Sequence, residues 1–236
     1  MMSNLADLDS ELNSLSSPDY AATSLRFFKT GKGEYAEGDC FIGIKVPALR
    51  QLAKKYKKLA ISNILSLLTD VVHEKRMLAL FILTHQFEAG NEKIQKHLFE
   101  QYLAHADYVN NWDLVDCSAH KMVGQYLLDK PRDILAELAQ SNHLWKQRIA
   151  IVATLRFIKY GQFTDTLAIS EILLHEKHDL IHKAVGWMLR EVGKKNQAAE
   201  EAFLQKHYKT MPRTMLRYAI EKFDQPTRQS YLQKTL

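Results

Sequence analysis

The stretch Trp145-Lys146-Gln147-Arg148-Ile149-Ala150 sets a basic residue ahead of small and apolar ones, in a chain whose apolar residues recur at three- and four-residue spacing. That spacing is the period of a helix. Related patterns return at Arg76-Met77-Leu78-Ala79, Lys183-Ala184 and Arg217-Tyr218-Ala219. Arg148 to Lys183 is 35 residues, Lys183 to Arg217 is 34, and Arg76 to Arg148 is 72, about twice that step. A degenerate helix pair at this period predicts an all-α solenoid whose pairs stack on their neighbours, the second helix of each pair lining a concave surface.

Worked outward, the periodicity predicts helices over 3–15, 18–29, 47–57, 61–69, 72–89, 91–105, 111–128, 132–140, 143–160, 165–174, 179–194, 197–208, 211–223 and 226–234. Ser17 ahead of Pro18 reads as a cap followed by a residue already set for the first helical turn. Asn91, three residues before Ile94, reads as a second cap, and Pro47 and Pro131 lie near two further starts. Residues 30–46 carry Gly31, Gly33, Gly38 and Gly43 and are expected to form a loop or a short hairpin. With no linker or low-complexity segment, one domain is expected over 1–236.

Cys40 and Cys117 cannot supply a disulfide framework, so a reduced, cytoplasmic setting is the expectation. No signal sequence and no membrane-length apolar run are visible, so no membrane partner is expected. The net charge of +5 is unevenly placed: residues 26–58 hold nine basic groups against Glu34, Glu37 and Asp39. That segment alone carries +6, leaving −1 for everything else, the footprint of a polyanion-binding face or of a solvated lysine surface.

The chemistry points to Asn111-Trp112-Asp113-Leu114-Val115-Asp116. Residues four apart share a helix face, so Trp112 and Asp116 point the same way while Asp113 points elsewhere, as a first-turn acid favouring the helix N-terminus. An indole beside a carboxylate suits a cationic or sugar-like group, although tryptophan in a helical repeat is commonly core and Asp116 could instead bridge to Arg148. His175-Glu176-Lys177-His178 and His182 lack a zinc-site spacing, so no metal is expected.

With Phe41-Ile42-Gly43-Ile44, Val46-Pro47-Ala48-Leu49-Arg50 and Lys183 to Glu191 added to the tryptophan blocks, nearly the whole chain resembles the AlkD-type DNA alkylation repair family. These are glycosylases built from HEAT-like repeats. The resemblance implies a right-handed solenoid with a concave basic channel, Trp112 and Trp187 flanking Asp116 as the catalytic set, and Arg148 anchoring a phosphate. Phe27, Lys29, Lys45, Arg50, Lys54, Lys55 and Arg190 complete the expected DNA-contacting residues, Phe27 standing where better-known members carry a tyrosine. The implied activity is a monomeric, cofactor-free, monofunctional glycosylase that removes cationic alkylpurines such as 3-methyladenine and 7-methylguanine from double-stranded DNA. No lysine candidate near Asp116 suggests strand cleavage. The alternative is a non-catalytic binder of branched or damaged DNA, since some relatives with an extra N-terminal hairpin are thought to act that way.

Overall fold

A computed structural model describes residues 5–235. The chain divides into two compact units, one ending at Ser118 and the other beginning at Ala119. The first holds α1 (Leu5–Leu15), α2 (Pro18–Phe27), α3 (Val46–Lys55), α4 (Ile61–Leu68), α5 (His73–Ala89), α6 (Glu92–Ala104) and the start of α7 (Trp112–Tyr126). The second holds the remainder of α7, then α8 (Asp133–Ala139), α9 (Leu144–Ala153), α10 (Leu155–Lys159), α11 (Thr164–Ile172), α12 (Asp179–Lys195), α13 (Gln197–His207), α14 (Arg213–Ala219) and α15 (Gln225–Gln233). Among the described residues there is no strand, and one isolated parallel bridge joins Cys40 to Val72.

The first unit is organised around α5, against which α3, α4 and α6 pack. A helix that is apolar on all sides belongs in a core, and from Met77 to Thr84 every residue of α5 is buried. Its N-terminal turn is also buried but polar, with His73, Glu74 and Arg76 at most 3% exposed. Ser17 accepts a hydrogen bond from the Tyr20 amide (3.4 Å) and Asn91 from that of Ile94 (3.1 Å), the two caps expected from their positions.

Residues 28–45 form a loop of turns, and no hairpin is present there. Two of its acids fold it onto itself: Glu34 accepts from the Gly31 amide and Glu37 from that of Gly33, both at 2.8 Å. Its far end is gripped by the Glu74 carboxylate, which accepts from the amides of Ile42 (3.1 Å), Gly43 (2.7 Å) and Ile44 (3.3 Å). Gly43 is required, because its φ of +79° lies in the left-handed region and an added Cβ would strike the Ser17 carbonyl.

In the second unit α8 packs on α9 and α11 on α12, and the helices bearing the repeated basic residue meet in order, α9 on α12 and α12 on α14. That is the nearest-neighbour stacking of a helical-repeat protein. The helix expected over 143–160 is interrupted at Thr154, separating α9 from α10. There Thr154 Oγ1 donates to the Ile151 carbonyl (2.7 Å) and the Thr154 amide bonds the same oxygen (3.2 Å), tightening the turn by one residue. Of the helix expected over 3–15, residues 3 and 4 lie outside the described residues.

Candidate active site

The chain enters α7 at Asn111, which is fully buried. Asn111 Oδ1 accepts from the Trp112 amide (2.8 Å) while its Nδ2 donates to Asp39 (3.2 Å), so the first turn is held from the 28–45 loop. From that start Trp112 and Asp116 share a helix face, and both line a cleft of about 600 Å³ within the first unit. Phe27, Phe28, Phe41, Met77 and Phe81 form much of its apolar wall, with Arg50 and Asp113 beside them.

The cleft wall is an aromatic stack. Phe28 lies against Trp112 (5.6 Å between centroids, 26° between planes) and against Phe41 (5.1 Å, 16°), and Phe41 stacks on the His73 imidazole (4.6 Å, 23°). Phe27 meets Trp112 edge-on at 6.0 Å and is 62% exposed at the mouth. The two ends of the 28–45 loop thus supply Phe28 and Phe41, the rings that back Trp112. Parallel and edge-on ring pairs each contribute about 1 kcal/mol beyond the area they bury, so Trp112 is fixed in orientation.

Behind the stack lies a buried ionic network. His73 Nε2 donates to Asp113 (2.9 Å) and Nδ1 to Asp39 (3.3 Å), and Arg76 Nη2 donates to the other Asp39 oxygen (2.6 Å). Burial alone would lower the His73 pKa, but hydrogen bonds to Asp113 and Asp39 outweigh it and raise the value to about 9. For Asp39, burial alone would raise the pKa, and its bonds to His73 and Asn111 with the Arg76 charge bring it below the usual carboxylate range. His73 is therefore an imidazolium donating from both nitrogens, joining the loop, α5 and the first turn of α7. Asp113 does not face away from the cleft as expected: it lines it, because its second oxygen is drawn to His73 while its first accepts from the Leu114 amide (2.8 Å).

Other expected residues are more dispersed. In the first unit Arg50 lies over the Phe81 ring at 4.4 Å and Lys45 over the exposed Tyr20 ring at 5.8 Å. Lys29 sits at φ +53° just beyond α2, Lys54 is exposed on α3, and Lys55 is paired with Glu11 at 2.5 Å. In the second unit Arg148 is buried on α9 and donates to the Leu180 carbonyl (2.5 Å). Trp187 is half-buried on α12 and donates to Glu191 (3.2 Å), and Arg190 is bonded to Glu221. Trp145 is a core residue, 6% exposed.

A family model for DNA alkylation repair enzymes matches residues 8–223. The chain belongs to that family. A solved structure from Enterococcus faecalis, described as a predicted DNA alkylation repair enzyme, superposes with a TM-score of 0.71 at 18% identity, covering 89% of this chain and 97% of that one. At that identity the likeness concerns the fold. No curated protein matches the sequence.

Within this DNA alkylation repair family member, the residues that sequence reading passes over are those that build the cleft around Trp112 and Asp116. His73 and Glu74 look like an ordinary first turn of an apolar helix, Asp39 looks like one more loop acid and Phe28 like the end of a helix, while Arg76 and Phe41 stand out only as a repeat position and as part of a family block, with nothing tying them to the cleft. Their one shared signal is the density of charge in His73-Glu74-Lys75-Arg76 immediately before an unbroken apolar run.

Proposed function

We propose that this DNA alkylation repair family member is a monofunctional DNA glycosylase that releases cationic alkylpurines, 3-methyladenine and 7-methylguanine among them, from duplex DNA. The observation carrying this reading is the cleft itself, in which Asp116 and an oriented Trp112 stand on one face of α7 within aromatic walls. Alkylation at N3 or N7 puts a positive charge on the purine, so the base departs neutral and the glycosidic bond is already weak. What remains to be stabilised is the oxocarbenium-like sugar. A carboxylate about 4 Å away at an effective dielectric near 20 contributes roughly 4 kcal/mol, about a thousandfold in rate. Indole faces attract cations, which suits Trp112 to a charged nucleotide beside Asp116. On the family resemblance Trp187 is assigned to the catalytic set, and Arg148, Arg190 and the basic residues of the first unit to DNA contact.

The test is release of free base from DNA containing 7-methylguanine by the parent protein and by Asp116→Asn. The expected outcome is release by the parent and a drop on the order of a thousandfold in the variant. DNA binding without release by either protein overturns the catalytic reading and leaves the binder of branched or damaged DNA.

A further inference from the structure

A second cavity, of about 450 Å³, lies wholly within the second unit and is lined by Asp179, Lys183, Thr214, Arg217, Tyr218, Glu221 and Arg228. Its two acids are already engaged: Asp179 pairs with Lys183 at 2.6 Å, and Glu221 with Arg190 and Lys222. Its arginines are not. Elsewhere in this unit arginines are bonded within the protein, Arg132 to Asp165, Arg148 to the Leu180 carbonyl, Arg156 to the Tyr160 hydroxyl and Arg213 to the Leu232 carbonyl. Among the described residues no side-chain partner meets the guanidinium of Arg217 or Arg228, and Arg228 Nε is buried without one. Asp179 and Glu221 line the same cavity but are held by Lys183, Arg190 and Lys222, so the two guanidiniums converge without a bonded carboxylate of their own, an arrangement that favours an added anion.

The repeat explains why they converge. Arg217 occupies on α14 the repeated basic position that Lys183 holds on α12. The two helices approach closely at Gly186, where an added Cβ would strike the Met215 carbonyl and Tyr218 Cβ. Arg228 reaches the same cavity from α15. Planar guanidinium forks bind the oxygens of a phosphate, like those of a carboxylate, through paired hydrogen bonds, and a duplex offers phosphate as its anion.

We infer that Arg217 and Arg228 form a phosphate-binding site for a phosphodiester of the DNA backbone, held by the second unit and lined by none of the residues around Trp112 and Asp116. The anion site follows from the cavity; its occupant, a phosphate of DNA, rests on the proposed function.

The test uses the full chain and unmodified duplex DNA, titrated by fluorescence anisotropy between about 50 and 200 mM salt. Arg217→Gln/Arg228→Gln is compared with the parent and with Lys96→Gln, an exposed surface charge on α6. The double variant is expected to bind several-fold more weakly, with a log–log salt slope shallower by about 0.9 for each phosphate no longer neutralised, while Lys96→Gln stays at the parent slope. Arg217→Gln alone, at an exposed position, moves the same way and serves if the double variant fails to fold. Parent-like duplex affinity and slope overturn the inference. So does unchanged duplex binding accompanied by disappearance of a thermal shift that inorganic phosphate gives the parent, which assigns the site to a free phosphate. If the parent releases no base yet the slopes separate as expected, the glycosylase reading fails and the anchor stands.

Discussion

Replacing His73 with glutamine keeps one hydrogen-bond donor and removes the charge from the network behind Trp112. His73 is 3% exposed and its pKa of about 9 lies well above the unfolded value of 6.5. A group whose folded pKa is raised contributes stability that is complete below the unfolded pKa and is lost as pH climbs through the folded one. That contribution is on the order of 3 kcal/mol from about pH 5 to 7 and close to none once the pH passes about 9. The groups facing the imidazolium are Asp39 from the loop, Arg76 from α5, and Asp113 from α7. With it gone, Asp39 keeps its bonds from Arg76 and Asn111, and Asp113 keeps its bond from the Leu114 amide.

His73→Gln is therefore expected to lower stability by about 2–3 kcal/mol at pH 7, a fall of roughly 5–10 °C in Tm for a chain of this size. The decisive quantity is the gap between parent and variant, measured by urea unfolding at pH 7 and again at about pH 9.5. It should shrink to well under 1 kcal/mol at the higher pH, because the parent has by then given up the same charge. A gap that keeps its size would refute the reasoning, since it would mean that shape and hydrogen bonding hold the network while the imidazolium charge does not.

Gly186→Ala should destabilise the second unit by about 1–3 kcal/mol, because the new methyl meets the Met215 backbone and cannot be accommodated by a rotamer change; thermal melting followed by circular dichroism reads it. Glu200, buried on α13 over Gly193 of α12, has its pKa pushed up to about 8 by burial and by the nearby Glu201 charge. Its folded state prefers the proton, so stability should fall as pH rises from about 4.5 through 8. Glu200→Gln should flatten that decline and raise Tm at pH 8 to 9, and a Tm below the parent's there would count against it.

The parts of the fold visible in the sequence are those decided within one turn of helix. Ser17 and Asn91 cap because their side chains reach amides three residues on. The recurrence of Arg148, Lys183 and Arg217 is readable because α9, α12 and α14 repeat the same packing task. The break at Thr154 is not visible there, since it turns on which carbonyl a hydroxyl selects inside an apolar run that continues on both sides. Asp113 misleads for a related reason: a first-turn acid suits the helix dipole wherever it points, and only a histidine 40 positions earlier draws it into the cleft.

The charge count shows why local reading reaches the surface of this site more readily than its interior. Asp39 enters the tally of residues 26–58 as one of three acids offsetting nine bases. In the fold it is 8% exposed and neutralised by Arg76 and His73, so it subtracts little from the field outside. Glu34 and Glu37 remain exposed but are turned onto loop amides. Lys55 is offset in turn by Glu11, so the segment's outward charge stays near +6, while the acid that seems to dilute it holds Asn111 and, through it, the start of α7. A loop with no regular structure thus positions Trp112 from beneath, and α7 carries Asp116 one turn further along the same face.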